Sequence, residues 1–364
     1  MKKTLFRITC MSAVSTVALL STSAFAQSQT QGQSNVSFYG VMDLGVSVDQ
    51  GGVSGSSVRL TSGMATQSRW GFKGSEDLGS GDKAFFVIEG GLHTDTGGST
   101  QNGTLFGRNA FVGLSNAYGS LSLGLHDTPY FTTLNTIVDP LRNGIARSNN
   151  LMAPTGFRAG NSILLKSASF SGYSADLMLA AGEVAGDNQA GSTIGGSFGY
   201  SQGPWNIRLA FHVKNNDSAS MKNLDKARNT LLGVNYDFGP AKVYFGYAVD
   251  KGLNSSPLNN TAASFGGLPP TASTDSTDLL LGISIPAGAH TFIASYVRKD
   301  DKTTLNQDAQ QYALAYMYAL SKRTDIYTSY ALIRNHNGAA YTEGNSEEAG
   351  LGDKQFTVGL RHRF

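Results

Sequence analysis

The sequence has a single cysteine, and its position removes cysteine chemistry from consideration. Cys10 lies within the first 26 residues. There, a short basic start (MKKTLFR), an apolar stretch and the small-residue pattern SAFA at 23–26 predict a cleaved secretory signal peptide. We therefore expect a signal peptide of residues 1–26 and a mature domain of residues 27–364. An exported domain without further cysteine has neither a disulfide nor a thiolate metal site.

Long hydrophobic runs and an excess of charge are also missing. The apolar part of the signal peptide, residues 8–20, is interrupted by Ser and Thr and is shorter than the roughly 20 residues of a membrane-spanning helix. No later segment comes closer to that length. When Lys2, Lys3 and Arg7 are removed with the signal peptide, 25 basic residues face 26 acidic ones. This balance gives no support for nucleic-acid binding.

Amphipathic helices are almost absent from the mature sequence, which is dominated by two-residue alternation instead. In NVSFYGVMDLGVSVD at 35–49, apolar residues share one parity and polar residues share the other. The same pattern recurs over 58–73, 205–213 and 312–320. Each segment has roughly 10 residues, which is the length of a tilted strand that crosses a bilayer.

Short and long connections alternate between these segments. Seven short turns, such as EDLGSGD at 76–82, alternate with eight longer polar or glycine-rich connections, the first near 49–57 and the last near 335–353. Together they join sixteen strands and place all long loops at one end, which is the sequence signature of an outer-membrane barrel. We predict an all-β fold, a 16-stranded antiparallel transmembrane β-barrel. Its last strand pairs with its first, because a sheet in hydrocarbon must close on itself.

The third long connection, residues 127–160, is 34 residues long, and structureless loops beyond about 15 residues are uncommon unless they are functional. Its apolar content predicts that it folds into the lumen and narrows the aqueous channel of a sixteen-stranded barrel. Its ionisable residues are Asp127, Asp139, Arg142, Arg147 and Arg158. Arg59, Arg69 and Arg108 add positive charge from the wall. A ring of arginines at a constriction favours the passage of anions.

Five segments carry a family resemblance. They are VSFYGVMDLGV at 36–46, QSRWGFKGSEDLGSGDKAFFVIEG at 67–90, LFGRNAFVGLSNAYGSLSLG at 105–124, LSKRTDIYTSYA at 320–331 and VGLRHRF at 358–364. In this order they resemble the β-proteobacterial general-diffusion porins of Gram-negative bacteria over essentially the whole mature sequence. The resemblance implies a water-filled outer-membrane channel for passive diffusion of small hydrophilic solutes and ions, with no catalytic step, cofactor or metal.

The resemblance also assigns roles to residues. Anion-preferring members carry constriction arginines in the SRWG strand, in the FGR strand and just after the third loop, and Arg69, Arg108 and Arg158 occupy these positions here. It further implies a homotrimer, contact with outer-membrane lipid and lipopolysaccharide, and recognition of the terminal Phe364 by the barrel-assembly machinery.

Two departures from the family pattern bear on selectivity. LGLHD at 123–127 stands where members commonly have Leu-Gly-Arg, and NSILLKSASFSGY at 161–173 stands where a segment like NSVRYDSPSFGGF is usual. One expected positive lumen charge is therefore missing. We expect the anion preference to be mild.

Two other functions remain open at this point. A substrate-specific channel typically adds a stacked aromatic track or a dedicated basic ladder, and only the second is partly present. A barrel hydrolase would need Ser, His and an acid at the barrel rim. GYSQG at 199–203 matches the GxSxG pattern, but it bridges two predicted strands and no helix follows it, as the nucleophile of a hydrolase requires. The six histidines form no HxxxH or HxH pair.

Overall fold

The computed structural model describes residues 34–52, 55–152, 156–257, 271–345, 348 and 350–364. The predicted signal peptide lies outside these residues. The strands are β1 (Asn35–Gly52), β2 (Gly55–Ser62), β3 (Arg69–Gly79), β4 (Asp82–Gly91), β5 (Asn109–Asn116), β6 (Gly119–Asp127), β7 (Arg158–Ser167), β8 (Tyr173–Ala180), β9 (Thr193–Gln202), β10 (Trp205–Lys214), β11 (Ala227–Asp237), β12 (Lys242–Lys251), β13 (Asp275–Ala287), β14 (His290–Asp301), β15 (Ala309–Ala319), β16 (Thr324–Asn335) and β17 (Lys354–Arg363).

In the part of the chain that the structure describes, helical structure is confined to short pieces of the long connections. They are α1 (Thr100–Gly103), α2 (Pro129–Thr133), a π-helical turn (Leu134–Val138) and a 3₁₀ turn (Ser148–Asn150). Within the described ranges, no helix is both long and apolar enough to span a membrane.

The strands form one closed antiparallel sheet. Each strand from β3 onward pairs with the next, and β17 pairs with β1 to close the barrel. The second half of β1 pairs with β2 and its first half pairs with β3, so β2 and β3 occupy one strand position. The barrel therefore has sixteen strands, which confirms the predicted fold class.

The shared position of β2 and β3 is interrupted at residues 63–68, where the sequence predicts a continuous strand. Met64 has the parity of an outward-facing residue, yet it is fully buried. The Asp43 carboxylate accepts hydrogen bonds from the backbone N–H groups of Ala65 and Thr66 at 3.1 and 2.8 Å. These bonds hold the chain out of the sheet, so the prediction over 58–73 is wrong at this interruption.

The first connection is also shorter than predicted. The sequence indicates a long polar loop near 49–57, but β1 continues to Gly52 and β2 begins at Gly55. Asp49 pairs with Ser57 across the two strands. The two strands extend beyond the apolar band, where water can solvate both faces of a hairpin, so their polar sequence resembles that of a loop.

The outer surface of the barrel is apolar, as the alternation predicts. In β17, Phe356, Val358 and Leu360 are exposed, whereas the intervening Gln355 and Thr357 are buried. Several of the exposed aromatic side chains lie close to the short turns, among them Tyr118, Phe170, Tyr173, Trp205 and Phe238. Aromatic belts of this kind mark a membrane interface.

The buried apolar clusters lie inside the barrel. The segment between β6 and β7 contributes Tyr130, Leu134, Ile137, Val138, Leu151 and Met152 to a cluster with inward-facing strand residues, among them Leu231 and Leu280. The lumen is thus partly filled by a connection that crosses from β6 to the far wall.

Candidate functional site

A cavity of about 620 Å³ lies inside the barrel and is lined by arginines. They are Arg69, Arg108, Arg142, Arg158, Arg361 and Arg363. Arg69 begins β3, Arg108 immediately precedes β5, and Arg158 begins β7. All three residues lie at the starts of strands that run in the same direction, and they line the same cavity. The structure thus brings together the three arginines that sequence reasoning selected.

Glu89 lies between two of these arginines. Its Oε1 is 2.6 Å from Nε of Arg108, and its Oε2 is 3.4 Å from Nε of Arg69. The hydroxyl of Tyr39 donates to the same Oε2 at 3.0 Å. One carboxylate therefore holds two guanidinium groups that would otherwise repel each other, and half of their charge remains unbalanced.

Arg158 has its own carboxylate. Its Nε lies 2.8 Å from Oδ1 of Asp127, which ends the neighbouring strand β6, and the two residues are paired in the sheet. Both residues flank the long connection, so their ion pair joins its two ends. Asp127 therefore partly offsets a predicted selectivity residue.

Two further arginines reach the cavity from the last strand. Arg361 and Arg363 contact Asp325 at 3.0 and 2.9 Å, and Nη1 of Arg361 donates to Oγ1 of Thr66 at 2.6 Å. Sequence parity places both arginines in the lumen but gives no indication that they share a cavity with Arg69. That proximity follows from barrel closure, which brings β17 beside β1.

The segment between β6 and β7 packs closely on the opposite wall because that wall presents glycines. A Cβ added to Gly246 would lie 2.3 Å from Val138, and one added to Gly282 would lie 2.7 Å from Pro140. Asn235 anchors the segment by donating to the Ile137 carbonyl at 2.8 Å. Inward-facing glycines on adjacent strands are the sequence signal that would have located this contact.

Asp139 does not present its charge to the cavity. Its carboxylate accepts backbone hydrogen bonds from Leu141, Asn143 and Ser148 at 2.8, 3.0 and 3.1 Å, and the residue is buried. Burial raises the pKa of this carboxyl. Asp139, which the sequence predicts to be a lumen charge, therefore stabilises the backbone of its own turn.

The two remaining arginines of the segment differ from each other. Arg142 is exposed, lines the cavity, and forms no ion pair within the described residues. Arg147 does not line the cavity, its Nε donates to Oδ1 of Asn150 at 3.0 Å, and burial lowers its pKa to about 10. Of these two arginines, only Arg142 therefore adds an unbalanced charge to the cavity.

Arg59 lies at the loop end of the barrel, apart from the cavity. It contacts Asp49 at 2.7 Å and Glu348 at 2.8 Å. The same Glu348 lies near His93 and Asp95, and potential ligand atoms of these three residues are within 4.8 Å of one another. Arg59 thus belongs to an ion-pair network at the rim and is not brought to the other predicted site residues.

The last long connection also folds inward, which sequence reasoning missed. Tyr341 and Glu343 are fully buried. Asn150 Nδ2 donates to Oε2 of Glu343 at 3.1 Å and to Oε1 of Gln311 at 3.0 Å. The segment between β6 and β7 is therefore held between the wall and the last connection. The small and apolar run AAY at 339–341 is the only local signal for this burial.

The GYSQG segment has the geometry of a strand end. Ser201 lies in β9, its N–H donates to the Gly172 carbonyl at 2.8 Å, and the chain continues directly into β10. A hydrolase nucleophile needs a strand-to-helix elbow and a nearby base. This segment has no such elbow.

A closed barrel with an apolar outer surface and a polar, arginine-lined interior defines a transmembrane channel. The sequence model of the Gram-negative porin family matches residues 13–338. The chain is 30% identical to an outer membrane porin protein of Bordetella pertussis, over 92% of this chain and 95% of that protein. It is 28% identical to outer membrane porin protein 32 of Delftia acidovorans, over 93% and 97% of the two chains.

A solved structure gives the same assignment. The anion-selective porin from Comamonas acidovorans superimposes with a TM-score of 0.73 at 27% identity, covering 91% of this chain and 100% of that one. The chain belongs to the Gram-negative porin family. It is an integral β-barrel of the outer membrane and a channel, not an enzyme. The family expected from sequence is confirmed.

Proposed function

We propose that the protein is a passive channel for small hydrophilic solutes and ions with a mild preference for anions. The observation that carries this proposal is the charge balance around the cavity. Six arginines line it, and the carboxylates that contact them are Glu89, Asp127 and Asp325. Three positive charges remain in excess. The structural relative from Comamonas acidovorans, described as anion-selective, supports the same direction.

The size of the preference follows from the attraction between charges in water. One unbalanced charge attracts an anion at 4 Å by about 1 kcal/mol in water, which raises the local anion concentration roughly fivefold. Ion pairing of five of the six arginines limits the excess. The Debye length falls from about 10 Å at 0.1 M to about 3 Å at 1 M salt, so the preference weakens as salt is added.

We assign the selectivity to Arg69, Arg108 and Arg158, which line one side of the cavity. The segment between β6 and β7 occupies the other side and sets the size limit for solutes. The packing of Val138 and Pro140 against Gly246 and Gly282 supports this assignment, because it fixes the segment inside the barrel.

We further infer a homotrimer, in keeping with the family, that contacts outer-membrane lipid and lipopolysaccharide. The barrel-assembly machinery would recognise Phe364 at the end of β17. Exposure of this ring at the outer surface, beside Phe38, supports its accessibility. Detergent-resistant oligomers of three chains that dissociate on heating would test the trimer.

The selectivity assignment is tested by replacing Arg69, Arg108 and Arg158 together by Ser. We expect the anion-to-cation permeability ratio to fall to one or below, because the excess of three charges is removed. The matched control replaces Arg228, Arg298 and Arg334, which are exposed and lie outside the cavity. A cavity variant that keeps the wild-type permeability ratio would refute the assignment.

A further inference from the structure

We propose that the cavity favours small organic anions that carry a flat apolar body, such as aromatic carboxylates, over compact anions of equal charge. This solute class rests on the proposed anion-conducting function and deepens it. The argument depends on how the two sides of the cavity differ.

One side supplies the charge. Arg69 and Arg158 begin β3 and β7, Arg108 immediately precedes β5, and Arg361 and Arg363 of β17 line the same cavity. Among the described residues, these five arginines share only three carboxylate partners, Glu89, Asp127 and Asp325. An anion entering the cavity therefore meets an excess of positive charge, and planar guanidinium groups suit the two oxygens of a carboxylate.

The other side combines apolar with polar residues. Its apolar residues are Pro140 and Leu141 from the long segment, Tyr244 from β12, Ile293 from β14 and Met317 from β15, and they are interspersed with polar residues such as Asn143 and Ser284. In a closed sheet of sixteen strands, β12 to β15 lie across the lumen from β3 to β7. The apolar side chains therefore face the arginines.

Tyr244 and Pro140 lie next to each other on this side of the cavity. A Cβ at Gly282 would lie 2.7 Å from Cγ of Pro140 and 3.4 Å from Cβ of Tyr244. The missing side chain at Gly282 leaves room for Pro140 to pack on the wall next to Tyr244. The Tyr244 side chain lines the cavity and is partly exposed, and the face of an aromatic ring is a surface on which a planar solute can stack.

This side also lacks the carboxylates that would reject such a solute. Among the described residues, the only acidic ones that line the cavity are Glu89 and Asp127, and both contact the arginines. Asp139, the one carboxylate of the opposing segment near the cavity, is engaged by three backbone N–H groups. Arg142 is the charged residue that the segment does expose.

A solute with a carboxylate at one end and an apolar ring at the other can therefore satisfy both sides at once. Acetate or chloride gains only from the arginines. Partial removal of one aromatic ring from water favours binding by about tenfold. We therefore expect benzoate to bind in the cavity about tenfold more tightly than acetate.

The test measures chloride current through the full-length protein in planar bilayers at neutral pH while benzoate or acetate is added. Benzoate is expected to reduce the current with a half-saturating concentration about tenfold below that of acetate. Benzyl alcohol, which has the ring without the charge, should leave the current unchanged. Block by benzyl alcohol equal to that by benzoate would contradict the two-sided site.

Variants then locate the effect. Tyr244→Ser combined with Met317→Ser should bring benzoate close to acetate, whereas Tyr244→Phe, which keeps the ring, should preserve the difference. Arg108→Ser should weaken the effect of both anions. Persistence of the full benzoate preference in the double variant would overturn the proposed site.

Failure of this inference can be distinguished from failure of the proposed function. Equal half-saturating concentrations for benzoate and acetate, in a wild-type channel that still prefers chloride to potassium, would overturn the solute class alone. A wild-type channel that prefers potassium would overturn both.

Discussion

Gly40 in β1 and Phe364, which follows β17, join the first and last strands of the barrel. The N–H of Gly40 donates to the Phe364 carbonyl and the N–H of Phe364 donates to the Gly40 carbonyl, each at 3.1 Å. The Phe364 ring covers the glycine so closely that a Cβ at position 40 would lie 2.3 Å from its Cζ atom. An aromatic ring over a glycine in a neighbouring strand protects the exposed backbone and fixes the register.

The closeness of this pair predicts that Gly40→Ala destabilises the barrel by about 1–3 kcal/mol, because the added methyl group overlaps the ring and the Arg69 carbonyl. Urea unfolding of the protein refolded in lipid vesicles measures the effect. Gly160→Ala is the matched control, since its Cβ would meet only Leu125 at 4.0 Å. Equal stability of the two variants would show that the Phe364 ring is not held against the glycine.

Deletion of Phe364 tests the proposed assembly role. The ring contacts Phe38 at a centroid distance of 5.4 Å on the outer surface, and Phe364 is not among the residues that line the cavity. We expect less protein to be inserted into the outer membrane, while each inserted channel keeps the wild-type conductance. The amount of heat-modifiable protein in outer-membrane fractions measures the first quantity and single-channel recording measures the second. Wild-type insertion would argue against the terminal ring as an assembly signal.

The position of Glu89 between two arginines predicts an increase in selectivity when its charge is removed. Glu89→Gln should raise the anion-to-cation permeability ratio, because Arg69 and Arg108 then lack their shared counter-charge. The change should destabilise the barrel by on the order of 3 kcal/mol, since a buried charge pair is broken. Reversal potentials and urea unfolding measure the two effects.

Asp176→Asn provides the comparison for Glu89. Asp176 pairs with Arg208 at 2.9 Å, and neither residue lines the cavity. Removal of the Asp176 charge should leave the anion-to-cation permeability ratio close to the wild-type value. A larger change in Asp176→Asn than in Glu89→Gln would place the selectivity elsewhere in the lumen.

Glu343 predicts a pH dependence for the last connection. Burial raises the pKa of its carboxyl well above the ordinary value. The protonated form is therefore favoured in the packed state. The protonated Glu343 side chain therefore stabilises the packed connection fully below the ordinary pKa of a glutamate. This stabilisation is lost as the pH rises through the raised pKa of Glu343.

Glu343→Gln mimics the protonated acid and should increase hydrogen-exchange protection of residues 339–345 relative to wild type at pH 8. The difference should disappear near the ordinary glutamate pKa of about 4.3. Because the intrinsic rate of hydrogen exchange depends on pH, the two proteins are compared at the same pH. Lower protection of the variant at pH 8 would contradict the assignment.

The sequence predicted the barrel well because its signal is local. Alternation along each strand and the lengths of the connections predict sixteen strands, an apolar exterior and closure between residues near 40 and the C-terminus. The interruption at 63–68 escaped prediction because it depends on Asp43, which lies on another strand. The inward fold of the last connection depends on Asn150, which is 193 positions from its partner Glu343 in the sequence.

The arginines of the cavity could be predicted from the sequence, but their partners could not. Parity and family resemblance selected Arg69, Arg108 and Arg158, and all three line one cavity. The partners of these arginines were not predicted, because Glu89 reaches Arg69 and Arg108 only through the register of three strands. The expected lumen charge of Asp139 was misplaced, since local backbone hydrogen bonds turned its carboxylate into the loop.

The proposed anion preference is tested most directly by the reversal potential of the wild-type channel in a potassium chloride gradient. The excess of positive charge in the cavity predicts a reversal potential displaced toward the chloride equilibrium potential, with a displacement that shrinks as the salt concentration rises. A reversal potential at zero or displaced toward the potassium equilibrium potential would contradict it.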